Sequence, residues 1–279
     1  MTPYRPGRHS LVVVSIPVLL SSSSVFPEPT AASFEMAATL GYDGMEVMVW
    51  TDAVSQDVSA IKGLVRHYGV PVMSVHAPCL LVTQRVWSND PNERLIRAVV
   101  LAEELGATTV VVHPPFTWQR DYARAFSDTV DKLMSRHPTI KIAVENMYPV
   151  RMARRTFVPY SPGWDPTEAS YPAYTLDVSH CAAARMSSLD MADRMGKNLA
   201  HIHLGDGTGE GRDEHLVPGR GNQPCAELLR SLADRGFEGS VALEVATRRA
   251  GSRAVRVEAL AEALEFTRMH LALATAGRP

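Results

Sequence analysis

Only three cysteines, Cys79, Cys181 and Cys225, occur in 279 residues. They are too few and too scattered for a disulfide framework or a Cys-based zinc site, and a reducing cytoplasm is the expected compartment. No G-x-G-x-x-G turn occurs, so the fingerprint of a dinucleotide-binding sheet is lacking and no nucleotide cofactor is expected. Nor is there an excess of basic charge: 28 Lys and Arg stand against 30 Asp and Glu, a formal net charge of −2. Non-specific nucleic-acid binding usually leaves a basic footprint, which argues against DNA as the first choice of partner. The longest apolar run near the start, Leu11–Leu20, is too short to span a bilayer, and no membrane association is expected. Preceded by Arg5 and Arg8 and followed by serines, that run resembles a short secretory signal. Pro17 interrupts it, and we read it instead as a buried first strand.

What is present is ample core material, 46% hydrophobic residues with 21% charged, in a length typical of an eight-stranded (β/α) barrel. Short apolar or β-branched runs alternate with longer amphipathic stretches, the pattern of repeated βα units around a parallel sheet. The strand candidates are Val12–Ser21, Gly44–Trp50, Val72–His76, Thr109–His113, Lys141–Glu145, Tyr174–Asp177, Ala200–Leu204 and Ser240–Val245. Helix candidates between them are Thr30–Leu40, Ser55–Tyr68, Pro91–Leu105, Tyr122–Arg136, Leu189–Met195, Pro224–Arg235 and Val255–Leu273. Pro91 just inside a start, with Asp90 as N-cap, and Gly106 and Gly236 just past ends follow capping preferences. The expectation is a single α/β domain, a (β/α)8 TIM barrel over residues 1–279, with residues 1–10 as a disordered N-terminal extension. Residues 147–173, rich in Pro, Tyr and Arg, read as a long loop on the active face.

The polar residues fall at the strand ends. His76 ends the third strand, His113 the fourth, Glu145 the fifth, Asp177 the sixth and His203 the seventh, while Glu244 lies near the end of the eighth. His180 follows Asp177 in D-V-S-H, and Asp213 and His215 follow the seventh strand in G-R-D-E-H. In a barrel the carboxyl ends of all strands converge on one face, so these side chains are expected to meet around one pocket. A single strand-end histidine is more often a structural hydrogen-bonding group than a ligand. Carboxylates ending apolar strands are harder to explain structurally, because burying one unpaired costs several kcal/mol, roughly, unless a cation or hydrogen bonds compensate. Imidazole and carboxylate donors without thiolates suit zinc, manganese or iron.

The strings S-V-H-A-P, V-V-H-P, V-E-N, L-D-V-S-H, H-I-H-L-G-D, D-E-H-L-V-P-G-R-G and L-E-V, in that order, resemble the xylose isomerase-like TIM barrel superfamily. That grouping contains sugar and sugar-phosphate isomerases and epimerases, and also endonuclease IV. The isomerase branch implies one divalent metal, zinc or manganese, on Glu145, Asp177, His203 and Glu244. It further implies proton transfer by Glu145 and Glu244 at a carbon next to a carbonyl, with His180 and Arg212 at the substrate. The endonuclease branch implies three zinc ions spread over His76, His113, Glu145, Asp177, His180, His203, Asp213, His215 and Glu244. No position of that pattern is missing.

The four tryptophans, Trp50, Trp87, Trp118 and Trp164, follow strands two to five. They can stack on sugar faces or unpaired bases, or cap the core. Arg151, Arg154 and Arg155 in the long loop can clamp a phosphate, and Glu46 in G-M-E-V can support the ligands through hydrogen bonds. The first reading is therefore a metal-dependent isomerase or epimerase of carbohydrate metabolism. It acts on a small carbohydrate or phosphorylated substrate, bound by Trp118, His76, His113 and Arg212 and worked on by Glu145, Glu244 and His180. A zinc-dependent phosphodiesterase acting on abasic DNA is the second reading. A barrel that binds metal or metabolite without turnover is the third, and the presence of both Glu145 and Glu244 argues against it. No oligomeric state is read from the sequence.

Overall fold

A computed structural model describes residues 15–152 and 155–276; the readings placed on residues 1–10, on Leu11 to Val14 and on Arg154 lie outside them. Eight parallel strands close into a barrel: β1 (Val18–Ser21), β2 (Gly44–Met48), β3 (Val72–His76), β4 (Thr109–Val112), β5 (Lys141–Glu145), β6 (Tyr174–Asp177), β7 (Leu199–Leu204) and β8 (Ser240–Leu243). Each pairs with its sequence neighbours, and β1 pairs with β8 to close the ring. Around it run α1 (Thr30–Leu40), α2 (Val58–Tyr68), α3 (Pro91–Leu105), α4 (Arg120–Arg136), α5 (Val178–Ala184), α6 (Ser188–Met195), α7 (Cys225–Asp234) and α8 (Arg253–Ala276). This is a single-domain (β/α)8 TIM barrel. Among the described residues no helix is long and apolar enough to cross a membrane.

Boundaries moved where local chemistry dictates. β1 begins at Val18 rather than Val12, directly after Pro17, which has no N–H to give to a ladder. β2 stops at Met48; two residues on, the Trp50 N–H donates to the Ser55 hydroxyl at 2.9 Å instead of to a neighbouring strand. α2 starts at Val58 because the Asp57 side chain accepts from the Ala60 N–H at 2.7 Å, a cap worth about 1 kcal/mol. The seven-residue α5, which the sequence periodicity does not predict, follows β6 directly.

Strand alternation separates two environments. Val47, Val75, Val110, Ile142, Leu176, Ile202 and Val241 pack in one continuous core with Phe34, Ile61, Leu95, Phe126, Met191, Leu229 and Leu260 from the helices. Burial of each such side chain stabilises by roughly 1.5–3 kcal/mol. The alternate positions carry a buried polar layer. Ser21, Glu46 and Ser74 stand in register across β1 to β3, and Thr175, His201 and Ser240 across β6 to β8.

Residues 147–173 are more ordered than a loop reading implies. Val150–Met152 and Arg155–Phe157 pair as an antiparallel hairpin. Met147, Phe116 and Tyr160 form a small satellite core with Trp164 against it. Asp165, 2% exposed, pairs with Arg194 at 2.6 Å and so ties the segment to α6.

Candidate metal centre

Glu145, the last residue of β5, is the hub. Its Oε2 lies 3.4 Å from His76 Nε2 and 3.1 Å from His113 Nε2. Its Oε1 lies 3.2 Å from His180 Nδ1 and 3.3 Å from His203 Nδ1. His203 Nδ1 in turn stands 3.1 Å from Glu244 Oε2 and 3.7 Å from Asp177 Oδ2. Three carboxylates thus gather at one ring nitrogen, and the nine sequence candidates for metal ligation are drawn together at the carboxyl ends of the strands.

Local structure sets the aim of each side chain. Asp177 ends β6 and caps α5, its Oδ1 accepting from the His180 N–H at 2.7 Å. That leaves Asp177 Oδ2 buried without a hydrogen bond, as is Glu145 Oε2. Glu244 is held by Ser23, whose hydroxyl donates to Oε1 at 2.9 Å. His180 Nδ1 lies 2.8 Å from the Asn146 carbonyl, and its Nε2 is 3.5 Å from Asp213 Oδ2. His215 Nε2 lies 3.0 Å from the same oxygen. The Ser179 hydroxyl donates to Asp213 Oδ1 at 2.7 Å and accepts from the His215 N–H at 2.9 Å.

The loop presenting Asp213 and His215 is organised by buried Asp206. Its carboxylate accepts from the backbone N–H groups of Gly207, Gly219, Gly221 and Gln223 at 2.8 to 3.1 Å. Gly219 sits at φ 88°, which only glycine adopts freely. His215 itself holds φ 45°, a left-handed conformation costing a non-glycine roughly 1 kcal/mol.

The electrostatics follow from packing acids against imidazoles. Burial alone would raise the Glu145 carboxyl; the rings of His203, His113 and His180 outweigh it and hold its pKa well below the ordinary value. Burial opposes charge on His203 as well, yet Glu46, Glu145 and Glu244 hold its pKa well above normal. His180 is likewise raised, against burial, by Asp177 and Asp213. His215, against the same penalty, is pushed up to about 10, chiefly by Asp213. His113 goes the other way, because burial is not fully offset by Glu145.

Two donor groups, His76–His113–Glu145 and Asp177–His180–His215, flank a third, Glu145–Asp177–His203, and within each the donor atoms lie within 4.8 Å of one another. Oxygen and imidazole donors in this number, with two buried carboxylate oxygens lacking hydrogen bonds, fit a divalent cation.

The rim residues divide. Trp118 is 54% exposed and stacks on Phe116 with centroids 4.4 Å apart at 7°. Trp87 and Trp164 pack half-buried against the core, and Trp50 lies 6.2 Å from Phe26. Arg212 is exposed and paired with Glu210 at 2.7 Å. Arg151 lies against Gly211, and Arg155 is exposed. Sequence reasoning passed over His201, which with Glu46 lies directly beneath His203 and donates from Nε2 to Glu46 Oε2 at 2.8 Å. The signal was present, since H-I-H in a strand puts both rings on one side. Ser23, Asn146, Ser179 and Tyr148, whose ring centroid is 5.0 Å from that of His180, carried no pattern of their own.

Residues 34–270 match the family model described as "Xylose isomerase-like TIM barrel". An uncharacterized protein of Mycobacterium tuberculosis is 51% identical over 276 residues, covering 92% of this chain and 98% of that protein. Fructoselysine 3-epimerase of Shigella flexneri is 23% identical over 245 residues, covering 78% and 86%. Among solved structures, a D-tagatose 3-epimerase-like protein superposes with TM-score 0.68 at 22% identity, covering 94% of this chain and 99% of that one. The IOLI protein with a bound zinc atom gives TM-score 0.66 at 19% identity, covering 92% and 99%. At these identities the structural likeness is one of fold. With most of its length matched, the chain belongs to the xylose isomerase-like TIM barrel family.

Proposed function

We propose that the protein is a divalent-metal-dependent isomerase or epimerase of a sugar or sugar phosphate. The observation that carries this reading is the convergence on His203 Nδ1 of Glu145 Oε1 at 3.3 Å, Glu244 Oε2 at 3.1 Å and Asp177 Oδ2 at 3.7 Å. Glu145, Asp177, His203 and Glu244 would hold the cation, zinc or manganese. When bound, it supplies Lewis acidity that polarises a substrate carbonyl and makes the neighbouring C–H more acidic.

The remaining work falls to side chains. Glu145 ends β5 and Glu244 directly follows β8, with two strands between them in the barrel wall. The two carboxylates therefore enter the pocket from different directions. One takes the proton from the carbon and the other returns one, inverting or shifting the centre. Ser23 fixes the rotamer of Glu244 through its hydrogen bond. His180, His76 and His113 offer imidazoles to substrate hydroxyls, Trp118 offers an exposed ring to a sugar face, and Arg212 supplies a cation at the mouth. The epimerases named among the relatives support this choice of reaction class.

A second reading, a zinc-dependent phosphodiesterase acting on abasic DNA, is favoured by one observation. His76, His113, His180, Asp213 and His215 supply more donors than a single ion needs. The balanced charge of −2 speaks against it.

Metal analysis of the purified chain separates the two: about one tightly held ion supports the isomerase, about three zincs the phosphodiesterase. Directly, a panel of sugars and sugar phosphates incubated in deuterated solvent is expected to show exchange at a carbon next to a carbonyl, and Glu244→Gln to abolish it in a folded chain. Exchange that survives the substitution removes Glu244 from proton transfer. Chelator-sensitive incision of an abasic duplex, without exchange in any sugar, would replace the first reading by the second.

A further inference from the structure

Beneath the pocket, two imidazoles share one carboxylate. His201 and His203 are two apart on β7 and face Glu46 of β2 across the barrel interior. All three are fully buried. Glu46 Oε2 accepts from the Ser74 hydroxyl at 2.9 Å and from His201 Nε2 at 2.8 Å. His203 Nε2 lies 3.0 Å from Oε1 and 3.2 Å from Oε2 of the same carboxylate. On the far side, His201 Nδ1 and the Ser240 hydroxyl are 2.9 Å apart.

Hydrogen-bond chemistry makes this a chain with one direction. A carboxylate only accepts, so both rings facing Glu46 must present N–H at Nε2. A neutral imidazole has one N–H, so Nδ1 of His201 is a lone pair and takes the Ser240 proton. Nδ1 of His203 faces Glu145, Asp177 and Glu244; with Nε2 committed to Glu46, it becomes the free lone pair once a cation displaces the proton these carboxylates hold there.

We propose that Glu46 is the positioning residue that holds His203 in the tautomer able to ligate through Nδ1, with His201, Ser74 and Ser240 locking Glu46 in place. The inference rests on the metal-dependent reading. Without an acceptor at Nε2, three carboxylates at the other nitrogen draw the ring proton to Nδ1, the atom the cation needs. Packing gives no comparable reason for the residue, because an apolar side chain fills a barrel interior without the cost of a buried charge. Histidine ligands fixed by a carboxylate on their other nitrogen are a recurring arrangement, and loss of such a partner typically lowers metal affinity 10- to 100-fold, roughly.

The test uses the full chain in two measurements. In zinc-loaded protein labelled with 15N-histidine, the His203 signals, assigned by their loss in His203→Asn, are expected to show Nε2 protonated and Nδ1 not. Glu46→Gln keeps the shape but offers one acceptor and one donor. His201 and Ser74 claim the oxygen, the amide N–H turns to His203 Nε2, and the ring proton moves to Nδ1. Zinc affinity, read by competition with a chromophoric chelator, is then expected to fall about 10- to 100-fold. An unprotonated Nε2 in the unaltered zinc-loaded chain overturns the proposal, and that measurement does not depend on whether the variant folds. So does Glu46→Gln losing less than about 10-fold in zinc affinity, the low end of the same range. An unaltered chain that takes up neither zinc nor manganese sinks the metal reading itself, and this is distinguishable from loss of the Glu46 role alone.

Discussion

The Ser23 hydroxyl donates to Oε1 of Glu244 at 2.9 Å, joining the turn after β1 to the residue after β8 where the barrel closes. Ser21 supports Ser23 through a second hydroxyl contact at 2.9 Å. With Oε1 engaged, Oε2 is the oxygen left facing His203. Hydrogen bonds to charged groups contribute about 1.5–3 kcal/mol, and here the contribution falls on the orientation of a proton-transfer group. Ser23→Ala is therefore expected to slow substrate deuterium exchange about tenfold or more at saturating metal. Tm should change little. Exchange at the unaltered rate would show that Glu244 keeps its rotamer without Ser23.

Asp206 does for a loop what Ser23 does for a side chain. Its carboxylate accepts four backbone N–H groups and so shapes the segment that carries His215. Asp206→Ala leaves those donors without their partner in a buried setting, and about 3 kcal/mol or more of stability is expected to be lost. Equilibrium denaturation reads this as a lower midpoint with unchanged slope. A loss below about 1 kcal/mol, the ordinary effect of a substitution, would mean that glycine turns alone hold the loop.

Much of this site is legible in the sequence because strand ends and ligand chemistry coincide. His76, Glu145 and Asp177 each terminate an apolar run, and a buried acid at such a place demands a partner. The strand cores and long helices were readable for the same reason, since periodicity and caps such as Asp90–Pro91 agree there. His201 escaped although the H-I-H of β7 carries a strand period; the rest of what escaped has no period to betray it. α5 is seven residues long, short enough to pass for a turn, and Val150–Met152 and Arg155–Phe157 form a two-stranded sheet apart from the barrel. Glu46 reads from the sequence as a supporting residue, but the polar layer it forms with Ser74, His201 and Ser240 runs against the expectation that a barrel interior is filled by branched apolar residues. Only register across strands far apart in sequence brings those four together.

Without metal, the acids and imidazoles must stabilise one another, which fixes the sign of the pH dependence. Glu145, Glu46 and Asp213 have folded pKa values held well below their ordinary ones. Their contribution is present above the unfolded carboxyl range, about 4, and is lost as pH falls through the folded values. His215 is raised to about 10. Its contribution is full below the unfolded imidazole value, about 6.5, and is lost as pH rises through the folded one. Chelator-treated protein is therefore expected to have its highest Tm between about pH 5 and 6.5, declining on both sides. A Tm that climbs steadily from pH 6.5 to 10 would contradict the pairing of His215 with Asp213.

The same protons compete with a cation. His203 and His180 are held well above the ordinary imidazole value by surrounding carboxylates, so a cation that takes a ring nitrogen must displace a proton. Zinc affinity is expected to rise from pH 6 to pH 8, with proton release on binding. Calorimetry in buffers of different ionisation enthalpy measures that release directly. Uptake of protons, or affinity falling over this range, would place the cation away from these rings.

Glu145 is common to two of the donor groups, one with His76 and His113 and one with Asp177 and His203. Asp177 and His203 are each shared between two groups as well, but only Glu145 links His76 and His113 to the rest, and Glu145→Gln removes the charge that both of its groups share. Asp177, Glu244 and His203 would still surround a central ion, but His76 and His113 would be left facing an amide, whose oxygen is a weaker ligand than a carboxylate. If one ion binds, Glu145→Gln is expected to weaken it by about 100-fold, taking the upper end of what loss of even an outer partner costs, while His76→Asn changes its affinity only slightly. If the His76 and His113 group holds an ion of its own, both substitutions lower the stoichiometry by a whole equivalent. Counting zinc per chain in these two variants thus reports whether the donors around Glu145 serve one cation or several, independently of any substrate.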